Sequence, residues 1–328
     1  MRKHVMMFML ALIPVMLFGQ EEDKYQISIS GFISSETIFD TRQTVSARAG
    51  DVLLFPAPVS EDANGDDINA IPNFNMFAIH SRLRTHVKGP DMFGAKTSAL
   101  VETDFVGNAD PLFSMMRLRH AILKMEWENS SLLAGHYWHP MFVTSTYPEV
   151  AGWGGGIPFA VLSRNPQVRF NLDVTENFSA SLIALTQSVF NSPGPKGASS
   201  EYVRNSGMPE WDMHVEYNNN GFIAGAVAGY KQLMPRTTTS QGNKADQTLG
   251  SLHANAYLQV AKGPFTAKVK GLYGQNMTNF LMMGGYADIT KSDGSMSYTN
   301  VLASSYWGEV IYRSGLLSYS LFGGYTQN

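Results

Sequence analysis

His136 and His139, three apart in Gly-His-Tyr-Trp-His-Pro, are the residues whose type first suggests metal chemistry. On an extended strand that spacing points them to opposite faces, and no cysteine or carboxylate lies between them. We read them as wall or rim residues and assign no metal and no cofactor. Gly154-Gly155-Gly156 follows Trp153. It lacks the strand-to-helix setting in which glycines cradle a phosphate, so it reads as loop. No Ser/His/Asp order sits at a nucleophile elbow and no pair of carboxylates stands apart for acid–base work. No catalytic residue is assigned, and an enzyme is not expected.

Charge spacing is more informative. Arg82 and Arg84 fall on one strand, and Glu102 and Asp104, with Lys96 in phase, on its neighbour across Gly89–Gly94. Arg117 and Arg119 come next, then Arg169, then Lys268 and Lys270. Glu210, Asp212, Glu216 and Glu309 add negative charge elsewhere. Inside a pore, a basic strip facing an acidic strip sets a transverse field, and ladders of arginine favour anions. The bland alternative is cross-strand charge pairing in a wet interior. Arg82, Arg84, Glu102, Asp104, Arg117, Arg119, Arg169, Lys268 and Lys270 are the expected pore-lining set.

The elements that carry these side chains alternate with period 2. Near 74–88, Phe77, Ile79, Leu83 and Val87 share one face, opposite His80, Arg82, Arg84, His86 and Lys88. Near 210–217, Trp211, Met213, Val215 and Tyr217 oppose Glu210, Asp212, His214 and Glu216. A slip of one residue would put every charge into the apolar phase, so the register is specified. Parity breaks in Met115–Trp127, where Arg117 and Arg119 oppose Lys124 and Glu126 in phase. A bulge, or an end lying in the aqueous rim, would account for it.

About 13 such segments begin near Tyr25, Asn73, Ala95, Met115, Ser130, Asn165, Phe178, Pro209, Phe222, Thr248, Phe265, Val301 and Leu316. Their connections alternate long and short, from Thr41–Pro72 against Gly89–Gly94 to Met277–Asn300 against Ser314–Gly315. Tight turns on one rim and long loops on the other mark a transmembrane antiparallel β-barrel. Trp127, Tyr217, Tyr230, Tyr312 and Tyr325 are candidate interfacial aromatics. Single-chain bacterial barrels have even strand numbers, and the chain stops at Asn328, not at an aromatic residue. The expectation is a 16-stranded barrel when complete, cut at the C-terminus with about 13 strands present.

Met1–Gln20 has a basic start (Arg2, Lys3, His4), an apolar run Val5–Phe18 and small Gly19. This outlines a secretory signal over 1–19 ahead of a barrel over 20–328. The apolar run is short of the roughly 20 residues a spanning helix needs. Composition agrees: only 16% of the 328 residues are charged, against roughly 25% in soluble domains. Mean hydropathy is nonetheless just -0.12. A sheet with one face in lipid and one in water reconciles the two. There is no cysteine, which excludes disulfide scaffolds and thiolate sites, and the net charge of -3 gives no basic field for nucleic acid.

Ser81-Arg82-Leu83-Arg84, Val87-Lys88-Gly89-Pro90-Asp91, Gly94-Ala95-Lys96 and Val101-Glu102-Thr103-Asp104-Phe105 resemble the start of DcaP-like outer-membrane porins. Arg117-Leu118-Arg119-His120-Ala121 and Ala134-Gly135-His136-Tyr137-Trp138-His139-Pro140 add to the resemblance, which is densest over 75–170. The Phe-Gly-Gln junction is similar to Bacteroidetes sequences. The resemblance implies a 16-stranded trimeric diffusion channel for small anionic solutes such as dicarboxylates, with Arg82, Arg84, Arg117 and Arg119 lining the pore. The expectation is a passive porin of the bacterial outer membrane, a homotrimer seated among lipid and lipopolysaccharide. The rival is an outer-membrane adhesion or structural barrel with partner-binding loops and a plugged lumen. The 25 residues of Pro140–Arg164 are the segment expected to fold inward and narrow the channel.

Overall fold

The computed structural model describes residues 25–109, 112–152 and 154–328. The proposed signal segment lies outside them. Thirteen strands form the wall: β1 (Gln26–Phe32), β2 (Arg82–Lys88), β3 (Lys96–Asp104), β4 (Arg117–Glu126), β5 (Ser130–Trp138), β6 (Arg164–Thr175) and β7 (Phe178–Leu185). They continue as β8 (Glu210–Asn219), β9 (Phe222–Leu233), β10 (Leu249–Lys262), β11 (Phe265–Gln275), β12 (Met296–Ser314) and β13 (Leu317–Gln327). Each pairs antiparallel with its neighbours in that order, and β1 and β13 are the two open edges, unpaired with each other among the described residues. No helix among the described residues is long and apolar enough to cross a membrane.

The burial pattern of the wall is inverted relative to a soluble sheet. Ile29 is 71% exposed, Met213 63% and Leu252 61%, whereas Asp104, Glu210 and Lys231 are all at 0%. Apolar side chains face out and charged ones face in, which is stable only where the outside is hydrocarbon. Aromatic residues band the outer face near both rims. At the tight-turn rim Phe178 lies opposite Tyr217, the Tyr217 ring meets Phe222 at 6.0 Å, and Tyr312 sits between Phe265 and Tyr319. Toward the other rim Trp211 pairs with Tyr230 and Tyr306 with Tyr325. Phe222 and Tyr230 are separated by about 26 Å of strand at ~3.3 Å per residue. At a tilt of about 40° this spans roughly 20 Å of membrane, close to the apolar band of such barrels.

The connections keep the alternating rhythm read from the sequence, with two corrections. The strand expected through 74–88 is broken. Residues 73–77 pair with 36–40 in a hairpin of the first loop, a turn follows, and β2 starts only at Arg82. Phe77 and Ile79 pack inside that loop with Val106, while Leu83 faces out. The second correction is β12, which begins at Met296 because its first turn of chain pairs with 285–290 in a hairpin beyond the wall. The parity break in β4 is a bulge. Glu102 faces His120 and Thr103 faces Leu118, leaving Arg119 as the extra residue. The bulge turns both Arg119 and His120 inward, where each is buried.

Candidate functional site

The inner face divides into two halves. Against β9–β12 the loop after β5 folds inward and packs, with Met141, Val143, Ala160 and Val161 joining Val227, Tyr257, Leu272, Phe280 and Trp307 in one apolar cluster. Wall side chains fix the loop's backbone. Lys270 Nζ donates to Met141 O at 2.8 Å, Asn255 Nδ2 to the same oxygen at 3.1 Å, and Ser305 Oγ to Phe159 O at 2.9 Å. Lys268 Nζ donates to Tyr147 O and to Glu149 Oε1, and Glu149 N–H donates to Glu309. Pro140–Arg164 was the segment expected to turn inward, and its described residues pack against the inner wall from Met141 to Val161.

Against β2–β6 a cavity of about 1010 Å³ remains. Arg48, Arg82, Arg84, Arg117, Arg119 and Arg164 line it, with Glu102 and Glu149 as the carboxylates. Register explains the arginine cluster. Arg84 lies directly across from Glu102, and Asp104 from Arg117. Arg117 grips Asp104 with two bonds, Nε to Oδ1 at 2.7 Å and Nη2 to Oδ2 at 2.9 Å. Arg119 spans both acids, Nε to Glu102 Oε1 at 2.7 Å and Nη1 to Asp104 Oδ2 at 3.0 Å. Arg84 binds the other oxygen of Glu102. Arg164 stacks on Trp138, its guanidinium carbon 4.8 Å from the ring centroid, and Trp138 stacks on Phe142 of the inward loop at 4.0 Å. Five wall arginines against two wall carboxylates leave this side with a formal excess of three positive charges (5 - 2).

The expected set is therefore split. Arg82, Arg84, Glu102, Arg117 and Arg119 border one cavity, and Asp104 lies fully buried behind them. Arg169 donates instead to Trp138 O and Gln167, and Lys268 and Lys270 hold the inward loop. Among the described residues, no acidic strip faces the arginines across the passage. Glu210, Asp212 and Glu309 are buried and engaged with His139, His253, Lys268 and the loop backbone. Arg164 was missed because it closes a long loop and lies on no clean alternation. His139 is also placed differently from its strand-based reading. It is the first residue past β5, turned inward like His136, with Glu210 and Asp212 of β8 as its carboxylate partners and the His253 ring of β10 5.9 Å away.

The first loop approaches the same cavity through His80. Its Nδ1 lies 3.0 Å from Glu36 Oε1 and its Nε2 3.3 Å from Asp51 Oδ2. Burial, reinforced by the charge of Glu36, pushes the Asp51 carboxyl up from 3.8 to about 6. Burial likewise lowers His80. A carboxyl with a raised pKa favours the docked loop when protonated. The contribution of protonated Asp51 to docking is full below about pH 4 and is lost as pH rises toward 6. The lowered His80, by contrast, opposes docking as pH falls below the ordinary imidazole range. Asp51→Asn is expected to remove the Asp51 part of this dependence. Amide protection over 44–56, taken relative to the intrinsic exchange rate at each pH, should fall from pH 5 to 7.5 in the parent and fall less in the variant. Equal protection factors in the parent at both pH values would refute the linkage.

No family model matches the chain, and no curated protein matches it. Solved structures do. The outer membrane channel DcaP of Acinetobacter baumannii superposes with a TM-score of 0.66 at 14% identity, over 94% of this chain and 81% of that one. An anion-selective porin from Comamonas acidovorans superposes with a TM-score of 0.50 at 12% identity, over 91% of this chain and 79% of that one. At such identities the shared property is the fold, a transmembrane porin-type β-barrel.

Proposed function

We propose that this chain is a passive diffusion channel of the bacterial outer membrane that prefers small hydrophilic anions, carboxylates among them. The observation that carries the reading is the composition of the cavity wall, six arginines against two carboxylates. Solutes passing within a few ångströms of these groups lie inside the Debye length of about 8–10 Å, so salt screens the excess charge only in part. The fold shared with an outer-membrane channel and an anion-selective porin supports the same reading. Residues 1–19 serve as its export signal, and the working form is a homotrimer set in lipid and lipopolysaccharide. No chemical step is required, since rings of basic side chains act on a permeating ion by field alone.

The test is planar-bilayer recording of the purified protein under a potassium chloride gradient. The expected result is steady conductance with a reversal potential of the sign given by chloride preference. Cation preference would overturn the anion assignment. Absence of conductance at any potential would favour the plugged adhesion barrel, whose loops and not its lumen would carry the function.

A further inference from the structure

A second cluster of charged groups lies away from the arginine-lined cavity, at the root of the inward loop. Glu210 and Asp212 stand at the start of β8, His253 on β10 and His139 just past β5, with all four side chains at 0% exposure. His253 Nε2 lies 2.8 Å from Asp212 Oδ1 and 3.5 Å from Glu210 Oε1, and His139 Nε2 lies 2.9 Å from Glu210 Oε1. Gly229 makes the meeting of two of them feasible. It sits in register between Asp212 and His253, and a Cβ there would fall 2.2 Å from Asp212 Oδ1 and 2.3 Å from His253 Nε2.

We propose that Glu210, Asp212 and His253 bind one divalent transition-metal ion, with His139 donating a hydrogen bond to Glu210 beside it. Two buried carboxylates converge here, and Glu210 Oε2 and Asp212 Oδ2 have no hydrogen-bond partner among the described residues. Unpaired buried negative charge is costly, and a divalent ion supplies both compensating charges at once. The nearest lysine does not, since Lys231 Nζ donates to Asn276 O and Asn279 Oδ1. Ligands about 2.1 Å from one ion stand roughly 3.0–3.4 Å apart at octahedral or tetrahedral angles, which the 2.8 and 3.5 Å separations bracket.

The two histidines have different roles because their second nitrogens differ. Met141 N–H donates to His139 Nδ1 at 3.1 Å, which keeps that ring's proton on Nε2, facing Glu210. His253 Nδ1 has no partner among the described residues. Its Nε2 lone pair becomes available to the ion in the tautomer that carries the ring proton on Nδ1, and no redox partner is needed. Two carboxylates and one imidazole suit zinc or manganese, not cuprous ion. Bound there, the ion ties β8 to β10 and, through His139, holds the entry of the inward loop.

The full chain is refolded from urea with Zn²⁺ or Co²⁺, dialysed, and its metal content measured. The expected result is one equivalent retained by the parent and by His86→Gln, and lost from Asp212→Asn and His253→Gln. The Co²⁺-loaded parent needs no variant. It should show visible d–d absorption and the paramagnetically shifted exchangeable proton of a single imidazole. Metal content in the parent no higher than in Asp212→Asn would overturn the proposal, as would shifted protons from two imidazoles for the role given to His139. If the site variants fail to refold, the parent's Co²⁺ spectrum decides alone. Bilayer conductance is recorded separately, so failure of the channel reading leaves this outcome intact.

Discussion

Arg119→Gln is expected to destabilise the barrel by roughly 3–5 kcal/mol, the usual consequence of removing one partner of a buried ionic network. Arg119 bridges Glu102 and Asp104, and its loss leaves Glu102 Oε1 without its charge-assisted bond and Asp104 Oδ2 with that of Arg117 only. Arg84→Gln is expected to cost less than about 1 kcal/mol, because its side chain is 51% exposed and Glu102 keeps Arg119. Selectivity should respond in the opposite proportion. The Arg82, Arg84 and Arg164 triple glutamine variant keeps the Arg117–Asp104 and Arg119–Glu102 pairs, yet cancels the formal excess of three charges on this wall. Its reversal potential should fall close to zero under a gradient where the parent prefers chloride. Urea unfolding followed by tryptophan fluorescence and bilayer recording measure the two effects. Equal stability loss in Arg119→Gln and Arg84→Gln would contradict the division into scaffold and field. Undiminished anion preference in the triple variant would show that the field arises elsewhere.

The second large effect concerns the inward loop. Replacing residues 142–159 by a short glycine–serine linker is expected to raise single-channel conductance several-fold. The loop fills the β9–β12 side of the lumen with an apolar cluster and confines the open volume to the arginine side. Its removal should widen the path while the wall arginines stay in place, so anion preference should weaken without inverting. Lys268, deprived of Tyr147 O and Glu149 Oε1, would then face the passage and partly maintain it. Unchanged conductance would mean that the constriction lies in another loop.

Strand existence, facing and the turn–loop rhythm were legible because lipid on one side and water on the other force strict alternation on the sequence. β8 shows this most plainly, with Trp211, Met213, Val215 and Tyr217 against Glu210, Asp212, His214 and Glu216. The break before Arg82 was not legible, since Phe77 and Ile79 continue the phase of Leu83 across a turn that carries no glycine or proline. The site was half visible. Arginines on regular strands could be placed by parity, and the parity fault at Arg117–Glu126 signalled the bulge. What parity could not reveal was contact between distant elements. Lys268 and Lys270 look like lumen charges by phase, but phase says nothing of a loop that will cover them. His139 likewise gains its carboxylate partners only when the end of β5 and the start of β8 stand together.

The sequence separation of these contacts sets an order of events during folding. From β2 onward every wall strand pairs with the strand before it, so the wall can zip hairpin by hairpin at modest loop-closure cost. The loop's fastenings are the reverse. Glu149 reaches Glu309 across 160 residues, and Ser305 reaches Phe159 across 146. On the proposed channel reading, the lumen is wide when the first strands form and narrows to its arginine-lined side only as β10–β12 arrive to fasten the loop. The proposed selectivity would thus be a late product of assembly.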